Sequence, residues 1–270
     1  MASPPYILSE PPQFILFGDS ITQQSFAQNS ASSPSFSFAA SLANTYSRRL
    51  DVVNRGLSGF NTAQALKVLP YVIPKPEKAG VKFLTIFFGA NDSRLPDSPG
   101  GRQQTVPLEE FKQNMKRILA SNEVKAHKDV RIILITTPPV DERMLADSAM
   151  AEPGVINRTA KNAALYAQAV RTVASEQKVA VLDLHKAMMS HAGHSEEHGS
   201  LPGSMDAPEN AKLRSLLSDG LHFAGEGYRV LYEEMMSLIE RTWPDQMPER
   251  LPMWMPAWDD GEAWEGELKL

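Results

Sequence analysis

Three stretches of this sequence carry side chains suited to acyl-transfer chemistry. Ile15-Leu16-Phe17-Gly18-Asp19-Ser20 delivers a hydroxyl directly after an apolar run and a glycine. Ser218-Asp219-Gly220-Leu221-His222-Phe223 holds a carboxylate and an imidazole three residues apart, near the other end of the chain. Between them, Gly59 and the Gly89-Ala90-Asn91-Asp92 run supply a glycine backbone and a side-chain amide. Serine-based acyl transfer needs a hydroxyl, a base for its proton, a carboxylate to orient that base and donors for the oxyanion. Ser20 is the candidate nucleophile. His222 is the candidate base, with Asp219 held against its Nδ1 and Nε2 left free for the hydroxyl. The Ser20 N–H, the Gly59 N–H and the Asn91 amide are the candidate oxyanion donors. Each group alone has a plainer reading: Ser20 and Asp219 as helix caps, Gly59 and Asn91 as turn residues. Their joint occurrence, in order, favours catalysis.

The elements that must position them follow from the hydrophobic pattern. Short apolar runs at 14–17, 52–53, 83–88, 130–135 and 179–182 read as five buried strands. Helical spacing appears at 36–49, 62–69 (ending at Pro70), 108–119, 157–177 (capped by Asn157), 207–217 and 224–241. Residues 190–205 read as a polar loop. Strands alternating with helices imply a parallel sheet covered on both faces. Such sheets bind ligands beyond the carboxyl ends of their strands, and Gly18-Asp19-Ser20, residues 54–59 and residues 89–92 all follow strands. The expected architecture is one α/β domain over residues 1–243. A Pro/Trp-rich tail, 244–270, is expected to pack on that domain or on a partner subunit, with its tryptophans at the rim of an acyl pocket, either their own or a dimer partner's.

Composition excludes several other functions. The 270 residues carry a net charge of −5, which argues against nucleic acid as a partner. Cys is absent, so thiolate catalysis and Cys-ligated zinc are excluded. No apolar stretch reaches membrane-span length and residues 1–10 lack a signal-peptide pattern, so a cytoplasmic protein is expected. No cofactor or metal is expected, and the expected partner is a small-molecule ester, with the oligomeric state, a homodimer included, left open.

Gly18-Asp19-Ser20, Gly59, Gly89-x-Asn91-Asp92 and Asp219-x-x-His222 resemble the four sequence blocks of the SGNH (GDSL) hydrolases. Within that family, residues 54–62 (NRGLSGFNT), 87–93 (FFGANDS) and 219–223 (DGLHF) are similar to the isoamyl acetate-hydrolysing esterase branch. So is the ending PERLPMWMPAWDD at 248–260. The resemblance implies a flavodoxin-like three-layer αβα sandwich and hydrolysis of short-chain, acetate-type esters. It also implies Ser20, His222 and Asp219 as the triad, with Ser20, Gly59 and Asn91 as the oxyanion hole.

Two alternatives compete. The same triad could transfer the acyl group to an alcohol instead of water. A metal-dependent hydrolase could use His194-Ser195-Glu196-Glu197-His198, a literal H-x-x-E-H with His191 one turn earlier. The glycines and proline around that motif, and its lack of apolar helical spacing, favour a solvated loop. An α/β-hydrolase is excluded because no Gly-x-Ser-x-Gly occurs. Asp19 is read as orienting its turn, and Arg55 and Asp92 as structural hydrogen-bonding groups. The Met-containing run Met144–Met150 and Met188-Met189 are read as core rather than pocket lining.

Overall fold

The computed structural model of the chain describes residues 7, 10–26, 35–148, 155–194 and 199–265. Five strands, β1 (Gln13–Gly18), β2 (Asp51–Gly56), β3 (Val81–Phe87), β4 (Arg131–Ile135) and β5 (Ala180–Leu182), form one sheet. All neighbouring pairs are parallel and the order is β2-β1-β3-β4-β5. β1 is apolar from Phe14 to Phe17 and buried on both faces, as a central parallel strand must be.

Helices cover both faces. α1 (Ser20–Gln23) follows β1 directly, and α2 (Phe38–Thr45) leads to β2. Next come α3 (Thr62–Val72), α4 (Gly101–Gln104), α5 (Leu108–Leu119) and α6 (Asn122–Lys125). After β4 lie α7 (Glu142–Asp147) and α8 (Ala160–Gln177). α9 (Leu184–His191), α10 (Ala211–Leu216) and α11 (Gly225–Thr242) follow β5. α3, α5 and α8 bury Leu69, Phe111, Met115 and Val170 against one face. α2, α9, α10 and α11 bury Leu42, Met188, Leu213 and Met235 against the other. This is a three-layer αβα sandwich on a five-stranded parallel sheet.

Several local expectations are corrected. α3 runs past Pro70 to Val72, because a proline in the last turn removes only one intrahelical bond. α8 starts at Ala160, not at 157, since Thr159 is the cap and its Oγ1 accepts from Asn162 N at 3.1 Å. α10 starts at Ala211 behind its own Asn210 cap. Residues 184–191 are helical where the polar loop was expected to begin at 190. Met188 and Met189 are buried, and Met144 packs partly buried against the same core, while Met150 lies outside the described residues.

The tail lies at the amino edge of the sheet, where β1 and β2 begin. Arg48, just before β2, donates to the carbonyls of Trp254, Met255 and Pro256, the last at 2.7 Å. Trp254 N donates back to Arg48 O at 2.7 Å, and Arg49 Nε donates to Pro248 O. Ser20 is at the opposite, carboxyl edge, and among the described residues none of this segment lines the hollow at Ser20. That removes the chain's own pocket, and not a partner's, from the expectation for the tail tryptophans. Among the described residues, no helix is long and apolar enough to cross a membrane.

Candidate active site

The nucleophile candidate is set by a strand-to-helix corner. β1 ends at Gly18, whose position a Cβ could not share: it would meet Thr22 Oγ1 at 2.1 Å and Phe87 O at 2.6 Å. Asp19, not Ser20, caps α1, its carboxylate accepting from Ile21 N at 3.0 Å. Ser20 therefore opens the helix with its hydroxyl uncommitted to capping. Tyr228 of α11 braces the corner by donating to Ile21 O at 2.7 Å.

The Asp219–His222 segment is a closed turn ahead of α11. Ser218 N donates to His222 O, and Leu217 bridges antiparallel to Phe223. Asp219 Oδ1 accepts from Leu221 N at 2.9 Å and His222 N at 2.7 Å, which fixes the carboxylate. Gly220 makes the turn possible at φ +90, and Asp141 N donates to its carbonyl from the start of α7. His222 Nδ1 then stands 2.7 Å from Asp219 Oδ2, and His222 Nε2 stands 2.9 Å from Ser20 Oγ. Ser20 and His222 are both buried. Burial pushes the Asp219 carboxyl up. The hydrogen bond and charge of His222, with the two backbone N–H donors, outweigh it and hold Asp219 below the usual carboxylate value. An ionised Asp219 requires the proton on Nδ1, leaving Nε2 to accept from Ser20.

Gly59 and Asn91 come to the same hollow. Gly59 lies in the loop after β2 at φ +81, and its carbonyl accepts from Gln104 Nε2 of α4 at 3.1 Å. Among the described residues, neither the Ser20 nor the Gly59 N–H is spent on another group. Asn91 follows β3, where Gly89 at φ +123 lets the backbone pass Thr137. Its Nδ2 donates one hydrogen to Phe60 O at 2.9 Å, leaving a second. Asp92 turns away from the hollow: its Oδ1 accepts from Thr62 N and Thr62 Oγ1 at the start of α3. Burial raises Asp92 to about 6 against those donors. Arg55 is exposed and, among the described residues, its side chain bonds only its neighbour's carbonyl, that of Asn54. Ser20, Gly59, Asn91, Asp219 and His222 all line one cavity of about 90 Å³, with Leu145 and Leu221 as its apolar wall.

Three polar residues of this cavity have no counterpart in the sequence reading: Arg94, Gln104 and Arg158. Arg158 is 4% exposed and donates to Ala90 O at 2.6 Å, Asn157 Oδ1 at 3.0 Å and Asn91 Oδ1 at 2.9 Å. Gln104 Oε1 accepts from Arg94 Nη1 at 2.7 Å and from Arg158 Nη2 at 3.4 Å. The available signal was a charged residue beside a cap candidate, Asn157, a pattern too common to single it out. Residues 195–198 of the H-x-x-E-H motif lie outside the described residues. Among the described residues, no cluster of three His, Asp or Glu side chains could hold a metal ion.

Comparison with known proteins places the chain among the carboxylic ester hydrolases. Residues 16–230 match the GDSL-like lipase/acylhydrolase family, and the chain belongs to that family. It is 34% identical to a human isoamyl acetate-hydrolyzing esterase 1 homolog, over 96% of this chain and 92% of that protein. It is 32% identical to the Saccharomyces cerevisiae isoamyl acetate-hydrolyzing esterase, over 92% and 96% respectively. Among solved structures, a lipase/acylhydrolase from Enterococcus faecalis superposes with a TM-score of 0.60 at 24% identity, over 91% of this chain and all of that one. The acetylxylan esterase Axe2 from Geobacillus stearothermophilus gives 0.59 at 19% identity, over 86% and 95%. These superpositions establish the shared fold.

Proposed function

We propose that this chain hydrolyses short-chain, acetate-type esters through an acyl-enzyme on Ser20. The observation that carries the reading is the unbroken line from Asp219 Oδ2 to His222 Nδ1 (2.7 Å) and from His222 Nε2 to Ser20 Oγ (2.9 Å). As Oγ attacks the ester carbonyl carbon, its proton passes to Nε2, and Asp219 stabilises the imidazolium without taking the proton itself. The carbonyl oxygen becomes an anion facing the Ser20 N–H, the Gly59 N–H and the free Asn91 Nδ2 hydrogen. Collapse breaks the bond to the alcohol oxygen, which leaves with the proton from Nε2. Water then attacks the acyl carbon with Nε2 again as base, and Ser20 regains its proton as the acid departs.

Cavity size supports the short acyl preference. About 90 Å³ is well below the ~300–1,000 Å³ of sites that enclose drug-sized ligands. The space among the described residues is of the size an acetyl group needs. The isoamyl acetate named for the human and yeast relatives points the same way.

The test uses a chromogenic acetate ester and an organophosphate. Ser20→Ala should abolish turnover and organophosphate labelling while thermal unfolding is preserved. With the wild-type protein, kcat/KM should fall by about tenfold or more once the acyl chain outgrows the cavity. Substantial turnover by a folded Ser20→Ala protein would remove the nucleophile assignment, and equal rates on acetate and octanoate would remove the short-chain preference.

A further inference from the structure

A buried cation stands behind the proposed oxyanion hole and, among the described residues, is bonded to no anion. Arg158 is 4% exposed, and among the described residues it forms no ion pair. Its hydrogen bonds go to neutral acceptors: Ala90 O, Asn157 Oδ1, Asn91 Oδ1 and Gln104 Oε1. Removing a guanidinium from water without a carboxylate partner is costly. Burial, and then the charge of Arg94, lower Arg158 to about 10 against the opposing charges of Asp19 and Asp219, so it remains charged at neutral pH. A fold that only needed to fill this space or cap these carbonyls could have used a neutral side chain.

We propose that Arg158 is a positioning residue for catalysis, acting through Asn91 on the oxyanion. The Asn91 amide is held at both ends. Its Oδ1 accepts from Arg158 Nη2 at 2.9 Å, and its Nδ2 donates to Phe60 O at 2.9 Å. A flipped amide would set its NH₂ against the guanidinium and its oxygen against the Phe60 carbonyl, two repulsive contacts. The remaining Nδ2 hydrogen is therefore kept toward the cavity. The positive charge also draws electron density to Oδ1, which makes that N–H a stronger donor where negative charge develops. The effect is largest in the transition state, because the ester oxygen is neutral beforehand. Ala90 O, Asn157 and Gln104 fix the guanidinium plane, a task that a lysine's single point charge cannot reproduce.

This inference rests on the oxyanion-hole reading of Asn91, and a double-mutant cycle separates the two. Asn91→Ala, Arg158→Met and the double variant are compared on a chromogenic acetate ester, with active sites counted by organophosphate labelling. Asn91→Ala alone tests the hole: it should lower kcat by roughly 10²–10³ with KM little changed. Arg158→Met should lower kcat by about tenfold or more, again with KM within about twofold. In the Asn91→Ala background, Arg158→Met should cost less than about threefold further. Affinity for a boronate that mimics the tetrahedral anion should fall with kcat, whereas affinity for a neutral alcohol product should not.

If Asn91→Ala leaves kcat intact, the hole reading fails. If Asn91→Ala acts and a folded Arg158→Met retains wild-type kcat and boronate affinity, this inference is overturned. Equal losses from Arg158→Met in both backgrounds would overturn it too, since Arg158 would then act on the substrate without Asn91. Should Arg158→Met not fold, Arg158→Lys keeps the charge and carries the same cycle. Its kcat loss should be smaller and should likewise vanish without Asn91, and a loss that persists there overturns the proposal.

Discussion

His222 Nε2 and Ser20 Oγ stand 2.9 Å apart although 202 residues separate them in the chain. The contact is held from both sides: Tyr228 ties α11 to Ile21 beside the serine, and Asp219 ties the imidazole to its own turn. An unassisted serine hydroxyl is a weak nucleophile, so the proposed base is expected to account for a large share of the rate. His222→Ala should lower kcat on the order of 10²–10⁴ with the fold retained, and added imidazole should restore part of it. Asp219→Asn should also reduce kcat, because the ring then loses the charge that favours its imidazolium. A folded His222→Ala protein keeping a tenth of wild-type kcat would show that Nε2 is not the base.

Gly220 tests how tightly that turn is specified. A Cβ there would lie 2.6 Å from Asp141 O and 2.7 Å from Leu145 N, both backbone atoms that cannot swing aside, at φ +90. Gly220→Ala should cost at least about 1–3 kcal/mol of stability and lower kcat per folded molecule, because Asp219 and His222 flank the displaced residue. Gly193 is the control. It also has positive φ, +76, but a Cβ there would meet nothing within 4 Å. Gly193→Ala should cost no more than about 1–2 kcal/mol and leave kcat unchanged. Chemical denaturation and kinetics on the same preparations separate the outcomes, and equal effects at the two glycines would refute the argument.

The legible parts of the molecule are those whose signal is local. β1 could be read from Phe14 to Phe17 because a central parallel strand is apolar on both faces. Ser20, Asp219 and His222 could be read because each follows a strand or sits in a short motif, and strand ends on one edge converge. The single-turn helices α4 and α6 were not legible, since four residues carry no periodicity. Arg158 was invisible for another reason. Its meaning lies in Ala90, Asn91 and Gln104, which reach it from other loops, with Asn157 beside it. Asn157 was misread as the cap of α8 for the same reason: its side chain faces Arg158, and Thr159 does the capping.

The tail tests whether the rim or the rear of the domain needs residues 244–270. Trp243 packs edge-on against Phe83 at 5.8 Å, and the Tyr46 hydroxyl donates to Gln246 O. Together with the three carbonyls held by Arg48, these contacts lie away from Ser20. Truncation after Trp243 should therefore lower Tm by several degrees while the ratio of acetate to longer-ester turnover stays constant. A shift in that ratio without a loss of Tm would place the tail, in a partner subunit, at the pocket.

Asp19 gives the pH dependence its sign. Its carboxyl is 1% exposed, and burial raises it from 3.8 to about 7, with Asp92 adding to the rise and the Ile21 N–H opposing it. The folded protein therefore prefers the protonated form more than the unfolded chain does. Below pH 3.8 the group costs nothing relative to the unfolded state. Between pH 3.8 and about 7 the unfolded chain is ionised while the native carboxyl resists, so the penalty grows, and above about 7 it is complete. Asp219 runs the other way: its lowered carboxyl stabilises the fold above the ordinary aspartate pKa and loses that contribution as the solution is acidified. Asp19→Asn keeps an oxygen to accept from Ile21 N but has no proton to lose. The difference in Tm between Asp19→Asn and wild type should thus be small near pH 4, widen in favour of the variant up to about pH 7, and level off beyond it. Unfolding curves across that range decide the matter. A constant difference would mean that Asp19 is ionised in the native protein at every pH tested, with its charge met by the corner it caps.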